Sequence, residues 1–126
     1  MVAALEMYTD PVATGRIRAL WDAMEDAGVP SLRELTHRRH RPHISLIGAP
    51  ALDPDAVAAA LRGITVAPPL TLTLDFVGVF VGRVVWLGPR VTSELLAHHE
   101  MVCTRLDAGG VPIDPLYRPG AWVPHA

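Results

Sequence analysis

Apolar residues three and four positions apart predict a helix near the start of the chain. Asp10-Pro11 is typical of a helix start, because aspartate accepts hydrogen bonds from unpaired backbone N–H groups and proline lacks one of those donors. Gly28 suits the left-handed conformation that ends a helix. The residues between these signals form one apolar stripe that is expected to face the core: Ile17, Leu20, Trp21, Met24 and Ala27.

Two later segments repeat this pattern of start, stripe and stop. Asp53-Pro54 and Gly63 bound a short second helix. Thr92 or Ser93 begins a third helix, which ends at Gly109-Gly110. The apolar stripes are Val57, Ala60 and Leu61 in the second helix and Leu95, Val102 and Leu106 in the third.

Strand patterns occupy the segments between these helices. Apolar runs at residues 2–8 and 43–47 precede the first and second helices. Between residues 70 and 76, leucine and phenylalanine alternate with polar residues, as in a strand with one buried face. The apolar runs 77–81 and 84–87 are separated by a glycine-containing pair, which indicates a β-hairpin.

The predicted elements follow the order strand, helix, strand, helix, three strands, helix and strand. Helices that alternate with hairpin-connected strands are typical of the α+β class, with the helices covering one side of largely antiparallel sheets. The chain has 126 residues and no linker or low-complexity tract. Residues 1–126 are therefore expected to form a single domain.

Composition narrows the class of protein further. Half of the residues are hydrophobic and 19% are charged, which favours a folded domain over disorder. No apolar run is long enough to span a bilayer, and the first residues lack the pattern of a signal peptide, so we expect a cytoplasmic protein without membrane contact. The single Cys103 cannot form an internal disulfide and is expected to be a core residue of the third helix.

Charge is unevenly distributed along the chain. A net charge of −2 argues against non-specific binding to nucleic-acid backbones, which requires a broadly basic surface. All 11 basic residues are arginine, and Arg38, Arg39 and Arg41 precede His43. Because the guanidinium fork suits phosphate oxygens, this cluster is interpreted as a phosphate clamp, with a solvated loop as the alternative.

A histidine and a serine two residues apart carry the chemistry of the chain. In a strand, His43 and Ser45 project from the same face, where an imidazole and a hydroxyl together can bind and protonate a phosphate. Taken alone, this triplet is more typical of a partly buried structural histidine. The pair Pro124-His125 favours function, because it begins a predicted strand just as Pro42-His43 does.

The segments His43-Ile44-Ser45-Leu46 and Trp122-Val123-Pro124-His125, in this order of elements, resemble the two-histidine (2H) phosphoesterase superfamily. Within it, the chain is most similar to the bacterial 2'-5' RNA ligases and RNA 2',3'-cyclic phosphodiesterases. The resemblance implies a bilobal, pseudo-symmetric α+β fold with helices on the outer faces of its sheets and one motif strand on each side of a cleft. It also implies that His43 and His125 are catalytic and that Ser45 binds the substrate phosphate.

Further side chains are expected to assist these three. Arg41 and Arg39 are predicted to bind the same phosphate. Tyr117 and Trp122 are predicted to stack a base near the second histidine, with loop anchoring as the alternative role.

The sequence departs from the family after its second histidine. In the family, a serine or threonine follows one residue later, and then more strand, a helix and a final strand. Here Ala126 is the last residue. We therefore expect the second lobe to be incomplete, in a shortened chain or in one that is completed by another chain.

The residue types fit phosphoester chemistry without a metal or another cofactor. One group must take a proton from the attacking oxygen while another gives a proton to the leaving oxygen, and histidine can do either near neutral pH. The predicted function is a metal-independent phosphoesterase that acts on a 2',3'-cyclic phosphate or on 2'-5'-linked nucleotides or RNA ends. Which histidine is the acid and which is the base stays open.

Two other functions remain as alternatives. One is a non-catalytic nucleotide- or RNA-binding module with a degenerate cleft. The other is a metal-dependent hydrolase that uses His37 and His40 in the arginine-rich loop. His98 and His99 are not expected to bind a metal together, because the side chains of adjacent helical residues diverge by about 100°. They are expected to lie on a solvated or half-buried face of the helix.

Overall fold

Strands and helices alternate along the part of the chain that the structure describes. The computed structural model describes residues 3–32, 39–64 and 69–126. In chain order the elements are β1 (Ala3–Tyr8), α1 (Pro11–Asp26), β2 (His43–Ala49), α2 (Pro54–Ala60), β3 (Leu74–Phe80), β4 (Val84–Pro89), α3 (Ser93–Ala108) and a short 3-10 helix (Pro115–Tyr117). None of the helices within these ranges combines the length and apolar character needed to cross a membrane.

Helix α1 begins and ends where the sequence predicts. The Asp10 carboxylate accepts a hydrogen bond from the backbone N–H of Ala13 at 2.9 Å, and Gly28 has a φ of 79°. Ile17 is buried, but Leu20 is 44% exposed and Ala27 is exposed too, so the core-facing prediction is wrong at Leu20 and Ala27. Leu20 lies about 60° from Ile17 around the helix, at the edge of the apolar stripe.

The other two helices also follow their sequence signals. Asp53 caps α2 through a hydrogen bond from the Asp55 backbone N–H, and Gly63 has a φ of 79°. Thr92, rather than Ser93, caps α3, since its hydroxyl accepts a hydrogen bond from the Leu95 backbone N–H. Capping depends on residues within one turn of helix, and for this reason the sequence alone predicts it.

Two antiparallel sheets of two strands each, β1 with β2 and β3 with β4, complete the described elements and confirm the α+β class. The strands predicted over residues 70–76 and 77–81 are wrong in their bounds, because a single strand, β3, runs from Leu74 to Phe80. The strand predicted at the second Pro-His pair is also wrong, because residues 122–126 are not assigned to a strand. Leu74 is paired with Pro89, the last residue of β4. One further backbone hydrogen bond, of 2.7 Å, joins the Arg90 N–H to the Thr73 carbonyl oxygen beyond this pair.

The described chain divides into two compact units, Met7–Ile44 and a larger unit of Ser45–Ala126 with residues 3–6. Helix α3 supplies much of the core of the larger unit and packs against α2. Cys103 is 2% exposed, which confirms the core position that the sequence predicts. The other buried apolar side chains of this unit include Leu46, Ile47, Leu95, Val102, Leu106, Val111 and Ile113.

Substitution of Gly78 by alanine is expected to lower the free energy of unfolding by about 1–3 kcal/mol, because a Cβ there would overlap the indole ring of Trp86 across the hairpin. Gly15→Ala is the matched control. Nothing lies within 4 Å of a Cβ at Gly15 in α1, so alanine is expected to stabilise the helix by about 1 kcal/mol. Urea unfolding of both variants measures the difference, and an unchanged stability of Gly78→Ala would contradict this packing.

Candidate active site

The smaller unit carries the first candidate catalytic residue, His43, at the first position of β2. Its ring is half-buried, and Nδ1 lies 2.7 Å from the backbone carbonyl oxygen of Arg41. Because a carbonyl oxygen can only accept, Nδ1 must carry a proton and donate it. In the neutral ring, Nε2 is then the basic nitrogen that can take a proton from a substrate.

Aromatic and cationic groups surround His43 in this unit. The His40 ring centroid lies 4.9 Å from that of His43, and Tyr8 approaches His43 edge-on at 6.5 Å. The guanidinium carbon of Arg41 lies 3.9 Å above the centre of the Tyr8 ring, a cation–π contact that restrains an otherwise exposed side chain. Arg39 is also exposed.

The structure describes only part of the predicted arginine clamp. Arg38 and His37 lie outside the described residues, so the clamp is represented by Arg39 and Arg41 alone. The same applies to half of the alternative metal site, which was proposed for His37 with His40. Within the described ranges, no group of three or more histidine, cysteine, aspartate or glutamate side chains is placed to hold a metal ion.

His125 in the larger unit has the same local geometry as His43. Its Nδ1 lies 2.8 Å from the carbonyl oxygen of Val123, two residues earlier, so this nitrogen also donates and Nε2 is also the basic atom of the neutral ring. The prolines that precede the two histidines, Pro42 and Pro124, are both buried. The match that the sequence predicts between the two Pro-His pairs therefore extends to the tautomer of each ring.

Strand β4 holds the segment that carries His125. Ala126 and Leu87 exchange both backbone hydrogen bonds, each at 2.9 Å, which is the pattern of a paired position in an antiparallel ladder. The ring centroids of Phe80 and Trp86 lie 4.9 Å and 5.8 Å from that of His125. The second histidine thus lies against aromatic side chains of the β3–β4 hairpin.

Ser45 on β2 is joined to the segment before His125 through its backbone. Trp122 Nε1 donates a hydrogen bond of 3.0 Å to the carbonyl oxygen of Ser45. The next carbonyl, that of Leu46, lies 3.1 Å from His99 Nε2, and His99 stacks on Trp122 with a centroid separation of 3.8 Å and an interplanar angle of 8°. The stacked rings therefore contact two consecutive residues of the first motif strand.

The burial of His99 differs from the sequence expectation. The side chain is 1% exposed, so the prediction of a solvated or half-buried face is wrong for His99, although His98 is half-buried. A signal was present in the sequence, since His99 falls on the same helical stripe as the buried Leu95, Val102 and Leu106. The hydrogen bond between His99 and the backbone carbonyl of Leu46 offsets the cost of burying the polar imidazole ring.

The two predicted base-stacking residues lie in the same unit as His125. One face of Trp122 is covered by His99, while the residue as a whole is half-buried. Tyr117 is half-buried too, and its ring packs over Gly48 on β2, where a Cβ would overlap it. Both aromatics therefore anchor their loop to neighbouring elements, and base stacking by either one remains a prediction.

Burial changes the ionisation of two groups on α3. Burial lowers the pKa of His99 below 6.5, and its hydrogen bonds to the carbonyls of Leu46 and Tyr117 oppose this only in part. Burial likewise raises the pKa of the Cys103 thiol, with a smaller contribution from the charge of Asp107. At neutral pH the fold therefore favours a neutral imidazole at His99 and a protonated thiol at Cys103.

The His99 ring is expected to make stability depend on pH. Because its pKa is lower in the folded state than in the unfolded state, the unfolded chain binds more protons as the pH falls below 6.5, and the free energy of unfolding decreases. His99→Gln, which keeps an amide donor but does not titrate, should reduce this slope between pH 7.5 and pH 5. Urea unfolding tests it with His98→Gln as control, and equal slopes in wild type and His99→Gln would contradict it.

Comparison with known proteins gives one match. Neither the curated proteins nor the solved structures include one that matches this chain. The family model described as the 2'-5' RNA ligase superfamily matches residues 10–126, which is nearly the whole chain and includes both Pro-His pairs. The chain therefore belongs to the 2'-5' RNA ligase superfamily, the two-histidine phosphoesterases that its motifs resemble.

Proposed function

We propose that this protein is a metal-independent phosphoesterase that uses His43 and His125 as an acid–base pair on a 2',3'-cyclic phosphate or a 2'-5' linkage. One observation carries the proposal: both rings donate from Nδ1 to the carbonyl oxygen two residues earlier, so that both have Nε2 as the reactive nitrogen. Two histidines prepared in the same way suit a reaction that requires one proton acceptor and one proton donor.

In the proposed hydrolysis of a 2',3'-cyclic phosphate, a water oxygen attacks phosphorus. The Nε2 atom of one neutral histidine takes the proton of that water, and a new P–O bond forms. The Nε2–H of the other, protonated histidine gives its proton to the ribose oxygen as the old P–O bond breaks. The product is a nucleoside monophosphate, and in the reverse direction the two histidines exchange their roles.

Three further side chains are proposed to bind the phosphate. The Ser45 hydroxyl would donate a hydrogen bond to a non-bridging oxygen as negative charge develops there. Arg41, restrained over Tyr8, and the exposed Arg39 would supply positive charge. The proposed binding partner is a nucleotide or an RNA end that carries such a phosphate.

Turnover of a nucleoside 2',3'-cyclic phosphate in the presence of EDTA tests the proposal. The expected result is a 2'- or 3'-monophosphate, detected by phosphorus NMR, at a rate that the chelator does not change. A rate that EDTA abolishes and added metal restores would instead support the metal-dependent alternative. Nucleotide binding without turnover, weakened by Arg41→Ala, would overturn the catalytic proposal in favour of a binding module.

A further inference from the structure

Helix α3 carries a buried histidine that the proposed reaction does not use. His99 is 1% exposed and lies on the apolar stripe of the helix with Leu95, Val102 and Leu106. Burial of a polar ring costs free energy that an apolar side chain at this position would not cost. Since proteins depart from such local rules mainly at functional sites, a polar residue in this stripe indicates a role beyond filling the core.

One edge of the His99 ring is bound to the first motif strand. Its Nε2 lies 3.1 Å from the carbonyl oxygen of Leu46, and because a carbonyl oxygen can only accept, Nε2 donates this hydrogen bond. The Sγ atom of Cys103, one turn further along α3, lies 3.6 Å from the same nitrogen. A hydrogen bond weakens steeply as its geometry departs from the ideal, so this contact fixes Leu46, the neighbour of Ser45, against α3.

The face of the same ring supports Trp122. The two rings are nearly parallel, with an interplanar angle of 8° and a centroid separation of 3.8 Å, and Trp122 Nε1 donates a hydrogen bond of 3.0 Å to the carbonyl oxygen of Ser45. His99 therefore acts on β2 directly, through the carbonyl of Leu46, and indirectly, through the indole that binds the carbonyl of Ser45. Without the imidazole ring, Leu46 would lose its donor and Trp122 would lose the surface on which it lies.

We infer that His99 is a positioning residue for Ser45. The inference rests on the proposed function, in which the Ser45 hydroxyl donates to a phosphate oxygen as negative charge develops there. Ser45 is half-buried, and the direction of its side chain follows from the backbone of β2 that the two rings hold. Trp122 also begins the segment that carries His125, within the same compact unit, so these contacts set the position of Ser45 relative to that segment.

Accurate placement matters for the role proposed for Ser45. A donor stabilises a developing charge when it lies about 2.7–3.1 Å from the atom that becomes charged. A misplacement of about 1 Å costs about 100-fold in rate. Loss of His99 is therefore expected to lower kcat without raising KM, because the hydrogen bond from Ser45 strengthens only as the transition state forms.

Kinetics on a nucleoside 2',3'-cyclic phosphate, with rates normalised to the folded fraction, test this role. His99→Ala removes the stack and the hydrogen bond together, and kcat is expected to fall by about 10- to 100-fold with KM unchanged. His99→Phe keeps a ring against Trp122, and His99→Gln keeps a donor for Leu46, so each should recover part of the loss. Leu106→Val, at an equally buried position of the same stripe, is the matched control and should lower stability but leave kcat of the folded protein unchanged.

A double-mutant cycle shows whether His99 acts through Ser45. If it does, His99→Ala should cost little kcat in a Ser45→Ala background, where there is no hydroxyl to misplace. Losses of kcat that multiply in the double variant would overturn the inference, because His99 would then act independently of Ser45. An unchanged kcat of the folded His99→Ala protein would overturn it too, because His99 would then only stabilise the core.

The placement of Ser45 is also measured without turnover. The Trp122 indole N–H, which donates to the Ser45 carbonyl, is expected to exchange with solvent faster in His99→Ala than in Leu106→Val, after correction for the stability of each variant. Faster exchange in a protein that turns over no cyclic phosphate would refute the proposed catalysis and support the positioning of Ser45 by His99. Equal exchange in the two variants would overturn the inference whatever the activity.

Discussion

Alanine in place of His43 or His125 is expected to lower kcat/KM for a nucleoside 2',3'-cyclic phosphate by about 10²- to 10⁴-fold, the contribution of a positioned general acid or base. The double variant is expected to be little worse than either single one. The reason is that a proton acceptor and a proton donor act as one unit, so that losing either removes most of the benefit of both. Steady-state kinetics of the three variants measures this non-additivity.

The half-buried His98 on α3 offers a control for these histidine substitutions. His98→Ala removes an imidazole of the same chemical type that lies outside the proposed site, and it should leave kcat/KM within about twofold, as expected for a surface change of small energetic effect. If the losses in His43→Ala and His125→Ala multiplied in the double variant, the two residues would act independently, and the acid–base pair would be refuted.

Trp122→Ala is expected to have the second largest effect. Removal of this half-buried indole deletes its stack on His99 and the hydrogen bond to the Ser45 carbonyl, with an expected loss of about 3 kcal/mol in the free energy of unfolding. Because the ring joins Ser45 to the segment that leads to His125, kcat/KM is also expected to fall by about 10- to 100-fold in the protein that remains folded. Urea unfolding and kinetics under native conditions provide the two measurements.

Trp122→Phe separates the roles of this side chain. Phenylalanine keeps an aromatic face for His99 but cannot donate to Ser45, so it should cost about 1 kcal/mol, the value of a single hydrogen bond. A base-stacking role makes a different prediction, namely a loss of nucleotide affinity in Trp122→Ala without a loss of stability. An unchanged unfolding free energy in Trp122→Ala would therefore contradict the structural role of Trp122 and favour base stacking.

Much of the fold follows from signals that act over a few residues. Asp10, Asp53 and Thr92 cap helices where the sequence predicts, because a cap needs only the next turn of backbone. The hairpin around Gly82 forms for the same reason, since a turn is decided by its own residues. The bounds of β3 could not be predicted in this way, because they depend on where its partner strand ends.

Some features of the candidate site likewise follow from the sequence, and others depend on the tertiary structure. The sequence by itself determined the two Pro-His pairs and the placement of His43 and Ser45 on one strand, because strand periodicity and proline conformation are local properties. Only the tertiary structure decided what the buried His99 ring contacts, because its Nε2 lies within hydrogen-bonding distance of the carbonyl of Leu46, 53 positions away.

Contacts over even longer separations complete the surroundings of the second histidine. Trp122 binds the carbonyl of Ser45 across 77 positions, and Trp86 and Phe80 meet His125 only because β4 pairs with Ala126. Local patterns encode the chemistry of the two motifs in the sequence. In contrast, packing between distant segments decides which aromatic rings surround His125, and no pattern of neighbouring residues specifies these contacts.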